Sequence, residues 1–441
     1  MAEDVGSGQS GASGEIPASE ECSLAGNGAT TTHELVANEP SLITHRPSLR
    51  LMIVAGEASG DKHGASLARA LTGLNAETRL EMFGAGGDEM RKAGVETLVD
   101  AREVAIIGVP EIARALGKLY RSYRTLLAAA RARRPEAVVL IDWPDFNLRL
   151  AKKLHREGFK VIYYVSPQVW AWRKYRVRAI RRDVDRMLVI LPFEVEFYRR
   201  AGIEAEFVGH PLAEAVRITA PRDEFARRNG LDPTRPMIAL LPGSRRKEIH
   251  YHLPPMIDAA ARLPRYQFVI PLASTVDRHQ VDVILNRARV PQGVEVAIIA
   301  GDTYNALGHA EFAVVASGTA TVEAALIGTP MVIVYRASEL NWLLIRPLIH
   351  LNTFGMVNLI AGRRIVPELI QHDVTGERIV AAVSAILSDS NRLAQIRDAL
   401  AMVREKLTVG AGYEPQRAAR AIIETIGAQG QSRATRGRET T

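Results

Sequence analysis

The sequence predicts an α/β fold made of two Rossmann-like domains, on three observations. Short continuous apolar runs alternate with helix-spaced segments, the pattern of strands buried on both faces of a parallel sheet. Glycine-rich loops follow several of those runs. The strand-loop-helix pattern fades between Ala213 and Pro236 and opens afresh at Met237.

The clearest unit runs from Val138 to Arg173. Val138 to Ile141 reads as a strand, so Asp142 stands at its carboxyl end. Pro144 and Asp145 mark a turn, Phe146, Leu150 and Leu154 recur at helical spacing, and Gly158 stops the helix before a strand from Lys160 to Val165. Ligands in open α/β sheets bind beyond the carboxyl ends of the strands, so Asp142 and the segment from Ser166 to Trp172 face the expected site. A carboxylate there can take a proton from a substrate hydroxyl, and it can equally cap the helix that follows. Trp170 and Trp172 read either as a pocket floor or as core.

At 441 residues the chain has room for two or three domains, and 47% apolar with 24% charged residues is ordinary for a globular protein. No run approaches the roughly 20 apolar residues that span a bilayer. Cys22 is the sole cysteine. It excludes an internal disulfide framework and a multi-cysteine metal site, and agrees with a reducing cytoplasm. The net charge is +7, but residues 1–48 hold seven acids and one arginine, which leaves +13 on the rest. A basic body implies anionic partners: nucleotides, phosphorylated substrates or anionic lipid surfaces. Nucleic acid is set aside, because no nucleic-acid module accompanies the charge.

Taken in order, residues 1–48 read as a disordered tail, 49–215 as a first Rossmann-like domain and 216–405 as a second. Residues 406–428 read as a C-terminal helix packing back on the first domain, and 429–441 as another loose tail. The first domain opens with a strand at Leu51, a loop GEASGDKHG and a helix from Ala65 to Leu74. Gly56, Gly60 and Gly64 fit a ligand loop or a structural turn equally, since neither a Walker A pattern nor G-x-G-x-x-G is present. Between Ile106 and Arg134, Ile106, Ile107, Val109, Ile112, Leu116 and Leu119 lie largely on one side of a helical pattern flanked by basic residues. Such a helix either lies in a membrane interface or packs on its own domain. His210 reads as a structural imidazole or a ligand contact.

In the second domain, Met237 to Leu241 is a strand, followed by PGSRRKEI. Gly243 and Ser244 permit close backbone approach, and the Arg245 guanidinium matches a diphosphate in bidentate geometry, while a solvated charge run fits the same residues equally. After a strand from Phe312 to Ala316, Ser317, Gly318 and Thr319 open a helix whose free N–H groups suit phosphate oxygens. Glu323, one turn on, suits ribose hydroxyls.

Nine blocks together resemble the lipid-A-disaccharide synthase family: VAGEASGDKHGA (54–65), GAGGDEM (84–90), IDWPDFN (141–147), YVSPQVWAWR (164–173), LPFE (191–194), FVGHPL (207–212), LLPGSRRKEI (240–249), ASGTATVEAAL (316–326) and NLIAGRRIVPEL (358–369). The resemblance implies a GT-B architecture, with the two Rossmann-like domains facing across a cleft. It implies an inverting glycosyltransferase that joins UDP-2,3-diacylglucosamine to 2,3-diacylglucosamine 1-phosphate, giving the β(1→6) disaccharide 1-phosphate and UDP. Asp142 matches the general base and Arg245 the arginine needed for activity. Glu57, Ser59, Gly243, Ser244, Ser317, Gly318, Thr319, Glu323 and Asn358 fall in its substrate- and nucleotide-binding segments. It implies no cofactor and no metal. Its acylated substrates favour a peripheral seat on the anionic cytoplasmic face of the inner membrane, and a homodimer is left open.

Overall fold

The computed structural model describes residues 48–74, 79–101, 112–170, 175–273, 275–288, 293–339, 342–343, 346, 353–408 and 415–438, without the side chains of residues 58, 112–116 and 428–438. The expected N-terminal tail lies outside these residues except for Ser48, which opens the first strand.

Seven strands form the first sheet: β1 Ser48–Ala55, β2 Arg79–Gly86, β3 Glu96–Asp100, β4 Ala137–Ile141, β5 Val161–Tyr164, β6 Arg186–Val189 and β7 Ala205–Phe207. Every pairing is parallel, in the order β3-β2-β1-β4-β5-β6-β7. The second sheet holds β8 Met237–Leu241, β9 Gln267–Leu272, β10 Val296–Ala300, β11 Phe312–Ala316, β12 Met331–Tyr335 and β13 Glu368–Ile370, also parallel, in the order β10-β9-β8-β11-β12-β13. The apolar runs form these strands because both faces are covered: Leu51 to Ala55 and Ala137 to Ile141 are fully buried. Strand order reverses direction at β1/β4 in one sheet and at β8/β11 in the other. A crevice opens at each reversal, beyond the carboxyl ends.

Two cores sandwich the first sheet. Helix α1, Ala58–Leu74, supplies Leu67 and Leu71 on one side, and α2, Ile112–Arg133, with α3, Pro144–Arg156, covers the other. Helix α1 begins seven residues before the expected Ala65, so most of the supposed glycine loop is helical. Gly60 and Gly64, four apart, lie on one helical face. A β-carbon on Gly60 would stand 3.3 Å from that of Ala55, and one on Gly64 would stand 2.5 Å from Met90 Sδ. These glycines let the helix pack closely.

Near the expected boundary at residue 215 the chain passes from one core to the other. Val208 still belongs to the first sheet's core, whereas Leu212 and Val216 pack against the second. It then returns. The expected 406–428 helix is two pieces: Leu407, near the end of the helix Ser390–Thr408, is buried in the second core, and α9, Pro415–Arg438, lies on the first sheet through Ala418, Ala419 and Ile422. Arg186 holds it there, its Nη1 donating to Ala421 O and Thr425 Oγ1, each at 3.0 Å. The helix continues to Arg438, where a loose tail was expected from 429.

The membrane-facing expectation needs one correction. Leu119 and Tyr123 pack against the first core, with Leu126, Leu127 and Ala130 buried beneath the same helix. A helix on a sheet needs an apolar stripe for its own domain, and this end of the stripe is used that way. Ile106, Ile107 and Val109 lie outside the described residues, as do the side chains of Ile112 and Leu116. Among the described residues no helix is long and apolar enough to cross a membrane.

Candidate active site

At the first reversal, β4 ends in a strained turn. Asp142 has φ 46° and Trp143 φ 47°, both left-handed, and Val165, just past the neighbouring β5, has φ 61°. Such conformations are costly for residues other than glycine and persist only where the surroundings enforce them. The enforcement is visible. Buried Asn147 donates from Nδ2 to Ile141 O (3.1 Å) and Asp142 O (2.9 Å), and the Tyr163 hydroxyl donates to the same Asp142 carbonyl at 2.5 Å. Trp143 stacks on Phe146 at 3.9 Å and covers Gly56, where a β-carbon would meet its ring at 2.0 Å.

This turn presents Asp142 half-buried at the carboxyl end of the central strand. Burial, then the charge of Glu57, raises its carboxyl pKa from 3.8 to about 6, against a lowering hydrogen bond from the Trp143 amide. Glu57, just before α1, and Ser59, in its first turn, are exposed. His210 is buried, accepts from the Leu212 amide at 3.2 Å, and is held by burial near pKa 4. Its ring is therefore neutral near pH 7.

At the second reversal lies a cavity of about 750 Å³. Gly243, Ser244 and Arg245 line it after β8; Ser317, Gly318, Thr319 and Glu323 line it after β11. The helix α5, Arg246–Ala261, starts at Arg245, and Glu248 folds back to accept from the Ser244 (2.9 Å) and Arg245 (3.2 Å) amides and from the Arg245 guanidinium at 3.2 Å. Gly243 has φ 117°, and a β-carbon there would meet Glu248 Oε2 at 2.4 Å. Buried His252 braces the loop from below: its Nδ1 donates to Pro242 O at 2.8 Å, while Nε2 accepts from the Arg336 amide at 2.9 Å.

The helix α7, Ala320–Ile327, aims its N-terminus into the same cavity. Among the described residues, the amides of Gly318, Thr319 and Ala320 have no acceptor, so they stand ready for an anion. Glu323 is raised above its ordinary pKa by burial. Tyr335 and Phe354, stacked with ring centres 6.1 Å apart, form an apolar wall that the sequence reading missed, because two aromatics nineteen residues apart meet only in the fold.

The first domain reaches this cavity through Gln168 and Trp170. Trp170 belongs to the second domain's core, and its indole donates to Glu194 Oε1 at 3.0 Å. Glu194 is fully enclosed, and burial raises its pKa to about 8, so it is mostly uncharged at pH 7. Asp142 does not line this cavity. It stands on β4, beside the strand whose extension carries Gln168 and Trp170.

Asn358 sits behind the wall. It is 1% exposed, its Nδ2 donates to Val366 O (3.0 Å) and Glu368 Oε1 (2.8 Å), and its Oδ1 accepts from the Ile365 (2.8 Å) and Val366 (3.1 Å) amides. With every donor and acceptor engaged, it holds the 353–368 segment in shape and has no free group for a ligand. Asn358→Ala is expected to destabilise the fold by about 3 kcal/mol, read from denaturant unfolding, because it orphans several buried groups. A change below about 0.5 kcal/mol would contradict this bracing role.

Residues 51–422 match the family model described as lipid-A-disaccharide synthetase. A lipid-A-disaccharide synthase of Koribacter versatilis is 47% identical over 378 residues, covering 85% of this chain and 98% of the relative. One of Geobacter sulfurreducens is 44% identical over 391 residues, covering 88% and 100%. Among solved structures, the glycotransferase of kitacinnamycin superposes with a TM-score of 0.56 at 17% identity, over 86% of this chain and 99% of that one, a likeness of fold. The two parallel sheets thus form a GT-B glycosyltransferase architecture, and the chain belongs to the lipid-A-disaccharide synthase family, glycosyltransferases of lipid A biosynthesis.

Proposed function

We propose that the protein transfers the sugar of UDP-2,3-diacylglucosamine to the 6-hydroxyl of 2,3-diacylglucosamine 1-phosphate, with inversion, releasing UDP. The observation that carries this is the cavity at the second reversal: three amides without acceptors, the Arg245 guanidinium and the Glu323 carboxylate suit the diphosphate and ribose of one nucleotide. Asp142 takes the proton from the acceptor hydroxyl. The acceptor oxygen bonds to the anomeric carbon as the bond from that carbon to the phosphate oxygen breaks, and its electron pair leaves with UDP. Arg245 and the α7 N-terminus stabilise the charge developing on the departing diphosphate. Holding donor and acceptor in a reactive orientation lowers the entropic part of the barrier.

The acylated substrates and the basic body also support a peripheral seat on the anionic cytoplasmic face of the inner membrane. The test is incubation with both lipids on anionic vesicles, followed by sedimentation and mass analysis. The expected outcome is protein in the pellet and a disaccharide 1-phosphate formed in step with UDP. Absence of the disaccharide would overturn the reaction, and protein left in the supernatant would overturn the membrane seat.

A further inference from the structure

A second cavity, of about 1150 Å³, opens beyond Arg245, and the reaction above uses none of the space in it. Arg245, Glu248, Ser317 and Tyr335 line both cavities and so form the partition between them. Positive charge reaches the second cavity from three separate elements: Arg246 and Lys247 from the first turn of α5, Arg287 from the last turn of α6, Arg278–Ala288, and Arg336 from the exit of β12. None of these four forms an ion pair among the described residues. The carboxylates on the wall are already engaged, Glu248 with the Ser244 and Arg245 amides, Asp277 with the His279 amide at 2.9 Å.

A run of solvated charges along one helix would not give this arrangement, because the contributing segments are tied together. Thr275 Oγ1 donates to Ser244 O at 2.8 Å, Gln280 Nε2 donates to Arg246 O at 2.7 Å, and buried His252 joins the Arg336 amide to Pro242. Like charges held around one concavity repel each other and concentrate field inside it, and an anion relieves both. The same cavity is lined by partly buried Val276, Val283 and Ile284. Cations beside an apolar lining match a ligand that carries a phosphate on an apolar body.

We propose that this cavity binds the phosphomonoester of an acylated ligand while the nucleotide occupies its neighbour. The ligand's identity rests on the proposed reaction, in which acceptor and product both carry such a group; the site itself does not. The probe is n-octyl phosphate titrated calorimetrically into the full chain saturated with UDP, with inorganic phosphate as the arm lacking an apolar body. Octyl phosphate is expected to bind more tightly than inorganic phosphate. The Arg287→Ala, Arg336→Ala double variant is expected to weaken both at least about 10-fold and leave UDP affinity unchanged. Ile284→Ser is expected to weaken octyl phosphate alone. No binding to the UDP-saturated chain, or binding indifferent to the double variant, would overturn the site.

Equal affinity for both probes would overturn the amphiphilic ligand. In turnover, the double variant is expected to raise KM for the phosphorylated acceptor about 10-fold with kcat and donor KM unchanged; an unchanged acceptor KM would overturn the link to this reaction. A wild-type chain that makes no disaccharide removes the proposed function, while the octyl phosphate titration still decides the site.

Discussion

Asp142→Asn is expected to lower turnover about 10²–10⁴-fold, the usual cost of losing a general base, with UDP affinity left within a factor of about two. The substitution is informative because asparagine, like aspartate, tolerates left-handed backbone better than most residues other than glycine, so the turn at φ 46° survives. Asn147 and Tyr163 grip the carbonyl of residue 142, and its side chain plays no part in that grip. With the carboxyl at about 6, kcat/KM in the unaltered protein should fall tenfold per pH unit below pH 6, and the Asn variant should lose that limb.

Stability should move the other way. Folding raises this carboxyl from 3.8 to about 6, so between those values the native state binds more protons than the unfolded chain, and stability falls as pH rises through that window. Above pH 6 the deficit persists, on the order of 2–3 kcal/mol for a shift of about two units. The inactive Asn variant should therefore unfold at higher denaturant concentration at pH 7. Nearly full activity would remove Asp142 from the base role, and lower stability at pH 7 would contradict the raised carboxyl.

The second large effect is expected at Arg245. Arg245→Ala should weaken UDP binding about 10–100-fold by calorimetry, the loss of a charge-assisted contact, and slow turnover further because the leaving group loses its counter-charge. Glu248 sharpens the expectation. Its carboxylate already holds the Ser244 and Arg245 amides, and among the described residues the guanidinium is its one ion-pair partner. Without that guanidinium, an incoming diphosphate meets an uncompensated acid. Arg245→Lys should restore only part of the affinity, since an ammonium cannot reproduce the planar fork. Unchanged UDP affinity in the alanine variant would refute the diphosphate assignment.

What the sequence made legible follows from local causes. Fully apolar five-residue runs such as Ala137–Ile141 and Phe312–Ala316 admit few states other than buried parallel strands, so the architecture could be read early, while the strand order needed the structure. The residues at strand ends followed directly. Less legible was anything decided by a partner distant in the chain. Glycines four apart look alike in a ligand loop and on a helix packed against Met90. Asn358 looks like a binding residue until Ile365, Val366 and Glu368 take its hydrogen bonds. Leu119 is apolar whether it meets lipid or its own sheet. The bend of the Asp142 turn depends on Tyr163, one strand away, which no local pattern announces.

The return of the chain onto its own beginning has a temporal consequence. Ala418, Ala419 and Ile422 complete a core whose strands end at Phe207, so at translation rates of about 5–20 residues per second the nascent first sheet waits on the order of 10–40 s with the part of that apolar face beside α1 uncovered. During that interval it is a candidate for chaperone binding. The protein's halves are thus finished in the reverse of the order in which they are made, the second one sealing before the first.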